Sequence, residues 1–161
     1  TKVAHQMIGA VATLALRAVD HHVVEVADVT GRFPYLRVHG RSFPLVPLTL
    51  YKAEGDPAVR VLCLIDSGAS ISLFNSSVGH ELGIKVEEGQ PLTTSGVGGE
   101  VPAYVHRIRC SVAAQTITGP VAFTKHLSTP FQIIGRRGFF ERFLIQFDEL
   151  DQKVYFSPVS G

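Results

Sequence analysis

A chain of 161 residues is long enough for one domain with a real core and too short for two of ordinary size. With 15 Lys and Arg against 14 Asp and Glu the formal charge is +1, which removes the electrostatic case for nucleic acid or an anionic membrane face as partner. A hydrophobic content of 45%, ten Phe, no Trp, 15 Gly and nine Pro suit many short strands joined by tight turns, so the expected fold is mainly β.

In chain order, residues 1–20 read as a short helix or an irregular lead-in, because Met7, Val11, Leu14 and Val19 fit a helical face only loosely. The nearly apolar run from Met7 to Val19 contains Arg17 and falls short of the roughly 20 residues that cross a bilayer. The chain opens at Thr1 rather than Met, so its compartment stays open. The expectation is a soluble domain, and a missing targeting or membrane segment upstream of it stays open. HVVEVADV and FPYLRVHG read as strands around a turn at Thr30-Gly31. His21 and His22 invite a metal reading, but neighbours on a strand point to opposite faces, and no metal site is expected.

LVPLTLYK and AVRVLCLI read as a hairpin joined by the Gly/Pro cluster from Ala53 to Pro57, with Pro47 placing the first of the two on a sheet edge. NSSVGHELGI predicts about two turns of helix, capped by Asn75 or Ser76, buried through Val78 and Leu82 and stopped by Gly83. Two extended arms then flank the glycine tip Gly96-Val97-Gly98-Gly99. The later arm alternates, with Ile108, Cys110 and Val112 on one side and Arg107, Arg109 and Ser111 on the other. The Arg107 to Arg109 stretch thus reads as the solvated face of a strand. ITGPVAFT is a further strand, Phe139, Phe140 and Phe143 suggest a helix of one or two turns packed on the sheet, and LIQF and VYFSP flank a polar turn from Asp148 to Lys153. Cys63 and Cys110 sit in apolar surroundings and read as buried thiols, not as a disulfide framework.

The stretch CLIDSGASISLF carries the chemistry. Asp66 stands at the end of an apolar strand, with Ser67, Gly68 and Ala69 immediately after it and another apolar run beyond. A carboxylate intruding into a core is costly unless it is paired or shares a proton. Downstream come the glycine tip, a candidate mobile arm over a substrate, and then Ile133-Ile134-Gly135-Arg136. The tip is no phosphate loop, since no Lys-Ser/Thr follows it. Only one Asp-Ser-Gly occurs, and the chain is about half of what two such lobes would need, so a two-carboxylate site has to be assembled from two chains.

LIDSGAS, SGVGG and IIGRRGFF, in that order and spacing, make residues 44–158 resemble the retropepsin-like aspartic peptidases. The resemblance implies an acid-protease β-barrel with a flap hairpin and one or two short helices, working as a two-fold homodimer. Residues 41–161 would be the peptidase domain and residues 1–40 an N-terminal extension. It implies an aspartic endopeptidase acting on polypeptides, with no cofactor, no metal and no nucleic acid. Asp66 would face Asp66 of a second chain, Ser67 would lock the two loops together, and Gly68 would orient the carboxylate through its amide. Ala69 and the flap residues Ser95, Gly96, Val97, Gly98 and Gly99 would meet substrate, and Ile134, Gly135 and Arg136 would support the site. Two carboxylates about 3 Å apart cannot both ionise, so the pair shares one proton and holds a water between its members. In many retroviral members the motif continues to an Asp that pairs with the Arg of the Gly-Arg stretch. Here that position is Ser70, which leaves Arg136 to cap backbone carbonyls or to pair with Glu141. The alternative function is a catalytically silent module of the same fold that dimerises or binds peptide.

Overall fold

The structure, a computed structural model, describes residues 31–96 and 99–159. Twelve strands and one α-helix are present among these residues. The strands are β1 (Arg32–Pro34), β2 (Leu36–Val38), β3 (Arg41–Phe43), β4 (Leu45–Tyr51), β5 (Val59–Ile65), β6 (Ser72–Asn75), β7 (Gln90–Gly96), β8 (Gly99–Val112), β9 (Gln115–Thr124), β10 (Gln132–Ile134), β11 (Phe143–Asp148) and β12 (Lys153–Pro158), and helix α1 (Ser76–Glu81) follows β6. The expected helix over residues 1–20 and the HVVEVADV strand lie outside the described residues.

The main sheet runs β4-β5-β10-β6-β9-β8-β7, and the end of β4 pairs back onto β8 through Thr49↔Ser111 and Tyr51↔Arg109. This closes six of the strands into a barrel, with β7 outside on β8. The closure corrects the assignment of β4 as a simple edge strand. Pro47 falls in the half of β4 that pairs only with β5, where its missing N–H costs no ladder bond, while the other half is paired on both sides.

β5 reads as a continuous apolar run because both of its faces are covered. Val61, Cys63 and Ile65 join the barrel core with Leu48, Leu50, Phe74 and Phe123, while Leu62 packs on the outside with Leu36, Leu45 and Phe131. The β2–β3 hairpin supplies that outer cover, turning through His39 and Gly40 at φ 49° and 79°, the left-handed pair that a two-residue turn needs. β8 and β9 turn through Ala113 and Ala114, also left-handed at φ 50° and 58°. β1 pairs with β12, and Phe33 stacks edge-on against Phe156 at 5.4 Å. Residues 32–38, before the expected boundary at residue 40, thus supply strands and a core side chain to the same body.

α1 forms as the sequence predicts. Asn75 Oδ1 accepts from the amide of Ser77 at 2.9 Å, Val78 and Leu82 are buried, and Gly83 ends the helix at φ +70°. The expected C-terminal helix does not form as a regular one. Residues 136–140 make an irregular turn, broken at Arg137 (ψ 126°) and at Gly138 (φ 79°), where Gly138 lies close against Gly119 and Pro120 of β9. Phe143 already belongs to β11, so the aromatic spacing marks a hydrophobic cluster of Phe139, Phe143 and Phe156 and not a helical face.

Candidate active site

Asp66 is the first residue past β5. β5 and β10 are parallel, with Cys63↔Gln132, Leu64↔Ile133 and Ile65↔Ile134 in register, so both strands end at the same level. The amide of Asp66 donates to the carbonyl of Ile134 at 3.0 Å, and the Asp66 carbonyl accepts from the Ala69 amide at 3.2 Å, which closes a tight turn. Within that turn the Gly68 amide donates to Asp66 Oδ1 at 2.8 Å, and a Cβ on Gly68 would come to 3.1 Å from the same oxygen. A glycine at this position lets the backbone approach the carboxylate closely. Asp66 is half-buried, Ser67 and Gly68 are exposed, and no cation pairs with the Asp66 carboxylate among the described residues.

The far side of the loop is held by the exit from β10. Arg136 donates its amide to Ala69 O at 2.9 Å, and Arg137 donates to Ser70 O at 3.1 Å. Between them and β10 stands Gly135, whose amide donates to the buried Ser72 Oγ at 3.1 Å. A Cβ on Gly135 would overlap the peptide carbon and oxygen of Ile71. Ile134, Gly135 and Arg136 are thus brought against the Asp66 loop, as the motif spacing anticipates. The Arg136 side chain is exposed and makes neither expected contact among the described residues; Glu141 Oε2 accepts from the Gly138 amide at 3.1 Å instead.

The glycine-tipped segment is a long antiparallel hairpin, in register from Gln90↔Val105 to Ser95↔Glu100 and Gly96↔Gly99. Val97 and Gly98, two of the expected flap residues, lie outside the described residues. Ser95 and Gly99 are exposed, and Gly99 adopts φ +100°. The arms root beside the Asp66 loop through a small apolar cluster in which Ile71, Ala103 and Ala122 are buried and Leu92 packs alongside. Ile71 and Ser72 were not singled out by the sequence reading. The signal for them was the ISLF run directly after the loop, whose first two residues link that loop to the hairpin and to Gly135.

Other candidates for chemistry fall away on position. Cys63 and Cys110 are free, buried thiols, and burial pushes Cys110 up to about 12 and Cys63 well above the ordinary thiol range, so neither is a ready nucleophile. No group of three or more His, Cys, Asp or Glu able to hold a metal occurs among the described residues, outside which His21 and His22 lie. No helix among them is long and apolar enough to cross a membrane.

A family described as aspartyl protease matches residues 46–124, a span holding the Asp66 loop and the glycine-tipped hairpin. No match was found among curated proteins. Among solved structures, the EIAV protease complexed with the inhibitor HBY-793 is similar at 17% identity and a TM-score of 0.47, covering 62% of this chain and 88% of that one. On the family match, residues 46–124, with one Asp-Ser-Gly loop set at the mouth of a closed barrel, are similar to the aspartyl proteases.

Proposed function

We propose that this chain is an aspartic endopeptidase whose site forms when Asp66 of one chain meets Asp66 of a second. The observation that carries the reading is the state of the carboxylate. Asp66 is half-buried, oriented by the Gly68 amide at 2.8 Å, and pairs with no cation among the described residues. A carboxylate fixed in this way and left without a counter-charge is suited to share a proton with a like group. One carboxylate cannot act as base and acid in the same step, and the single Asp-Ser-Gly of the chain leaves a two-fold pair as the simplest source of the other.

In the pair, the ionised carboxylate takes a proton from a water held between the two groups as that water's oxygen bonds to the scissile carbonyl carbon. The protonated carboxyl hydrogen-bonds the carbonyl oxygen and stabilises the charge that builds there. Collapse of the tetrahedral adduct then breaks the C–N bond, with a proton delivered to the leaving nitrogen. Ser67 joins the two loops, and the glycine-tipped hairpin covers the bound peptide. The substrate is a polypeptide in extended form.

The test is a mixing experiment. Asp66→Asn is nearly isosteric and should fold and dimerise but cleave an unstructured protein hardly at all. Added in excess to the parent with exchange allowed, it should lower activity per parent chain as mixed dimers form. If native mass spectrometry shows mixed dimers while activity per parent chain stays flat, the pair across the two-fold is wrong. A parent that cleaves nothing, yet dimerises and binds peptide, would instead establish the silent module.

A further inference from the structure

Arg136 is the least explained charged group near Asp66. Its backbone is fixed, because its amide is spent on Ala69 O at 2.9 Å and the adjoining Gly135 is locked against Ile71 and Ser72. Its guanidinium is exposed and has no acidic partner among the described residues. The acid nearest to it in the sequence, Glu141, accepts instead from the Gly138 amide at 3.1 Å. The exposed side chains of the adjoining loop, Ser67 and Ser70, are neutral.

We propose that Arg136 is a specificity residue that binds an Asp or Glu side chain of the substrate close to the scissile bond. The proposal rests on the protease reading above and names the substrate class of that same site. Distance supports it. The Arg136 amide bonds Ala69 O at 2.9 Å and the Ala69 amide bonds Asp66 O at 3.2 Å, so a single residue of the tight turn stands between the backbones of Arg136 and Asp66. An extended peptide on Asp66 carries side chains at steps of about 3.3 Å, so a residue within two or three places of the cleaved bond comes within reach of a long arginine side chain. Chemistry supports it as well. The guanidinium is a planar fork of donors that matches a carboxylate in a bidentate pair. A neighbouring acid in the chain would have closed that fork.

The experiment uses pairs of peptides that differ only by Glu or Gln at one position, scanned over the three residues on each side of the cleaved bond. The wild-type protein should favour Glu at one of these positions by about tenfold in kcat/KM at low salt. The preference should shrink as salt rises, since the pair is partly exposed. Arg136→Gln should bring the Glu/Gln ratio to about one, and Arg137→Gln should leave the ratio near its wild-type value. Equal cleavage of Glu and Gln peptides at every position overturns the subsite and leaves the protease reading standing. A preference that survives Arg136→Gln, or that is lost in Arg137→Gln alone, overturns the assignment to Arg136. Binding of the same peptides to Asp66→Asn, followed by calorimetry, tests the subsite without turnover. Tighter binding of the Glu peptide that Arg136→Gln abolishes in that background supports it even if cleavage fails, and equal binding of both peptides overturns it.

Discussion

Ser72 Oγ accepts the amide of Gly135 at 3.1 Å in the buried interior, joining two residues 63 positions apart in the chain. The bond ties the exit of the Asp66 loop to the exit of β10, and the Gly135 amide has no other described acceptor. Ser72→Ala should therefore leave a buried donor unpaired and cost about 1–3 kcal/mol, read as a lower urea midpoint. A midpoint equal to that of the parent would mean that the amide finds another partner.

Gly135→Ala should be worse. Its Cβ would enter the peptide of Ile71, which is backbone and cannot rotate away. The expected loss is about 2–4 kcal/mol in thermal unfolding, with cleavage falling further because the Asp66 loop shifts. Gly40→Ala is the comparison, since nothing lies within 4 Å of that site and only its φ of +79° opposes a side chain. It should cost about 1 kcal/mol.

Ala113 and Ala114 hold a left-handed two-residue turn that glycine or asparagine would adopt with less strain. Ala114 is exposed, so Ala114→Gly should stabilise the protein by about 0.5–1 kcal/mol after the extra chain entropy of glycine is set against the relief. Chemical denaturation is the measurement. A loss of stability would mean that the strain is already relaxed in the neighbouring ladder.

Tyr35 gives an alkaline signature. Burial, and then donation of its hydroxyl to Glu149 Oε1 at 2.7 Å, raise its pKa above the ordinary phenol value. The folded state therefore favours the neutral phenol. That contribution is complete below about pH 10, where the unfolded side chain titrates, and is lost as pH rises from there toward the folded-state value. Tyr35→Phe should show a shallower fall in stability over that alkaline range than the parent and little difference in pH dependence near neutrality.

The two thiols should be silent in the native protein. With Cys110 at about 12 and Cys63 also raised, an aromatic disulfide reagent at neutral pH should label neither until the chain unfolds. Rapid native labelling would place one of them at the surface.

Much of this was legible in the sequence because local patterns and tertiary structure agree. The alternation through Ile108, Cys110 and Val112 gives β8, the Asn75 cap and the Gly83 stop bound α1, and LIDSGAS with IIGR names the two segments that meet. What escaped was set by distant contacts. Pro47 looked like an edge residue because pairing of β4 with β8 depends on barrel closure. The helix expected around Phe139 fails because Gly138 has to pass close to Gly119 and Pro120, which no local periodicity encodes. At the site, Asp66 and Gly68 could be read directly, whereas the part played by Ile71 and Ser72 depends on β6 lying beside β10.

The bond from the Asp66 amide to Ile134 also sets an order of assembly. A ribosome releases the Asp-Ser-Gly loop long before it makes β10, and until then the loop lacks the carbonyl that holds its amide, the glycine that fits Ile71 and the two amides that bind Ala69 and Ser70. Contacts this far apart in sequence form late in folding as well as late in synthesis. A nascent chain would therefore carry its aspartate in an unorganised loop until Gln132–Ile134 has been made, and a fragment ending before Gln132 should lack the organised Asp66 turn.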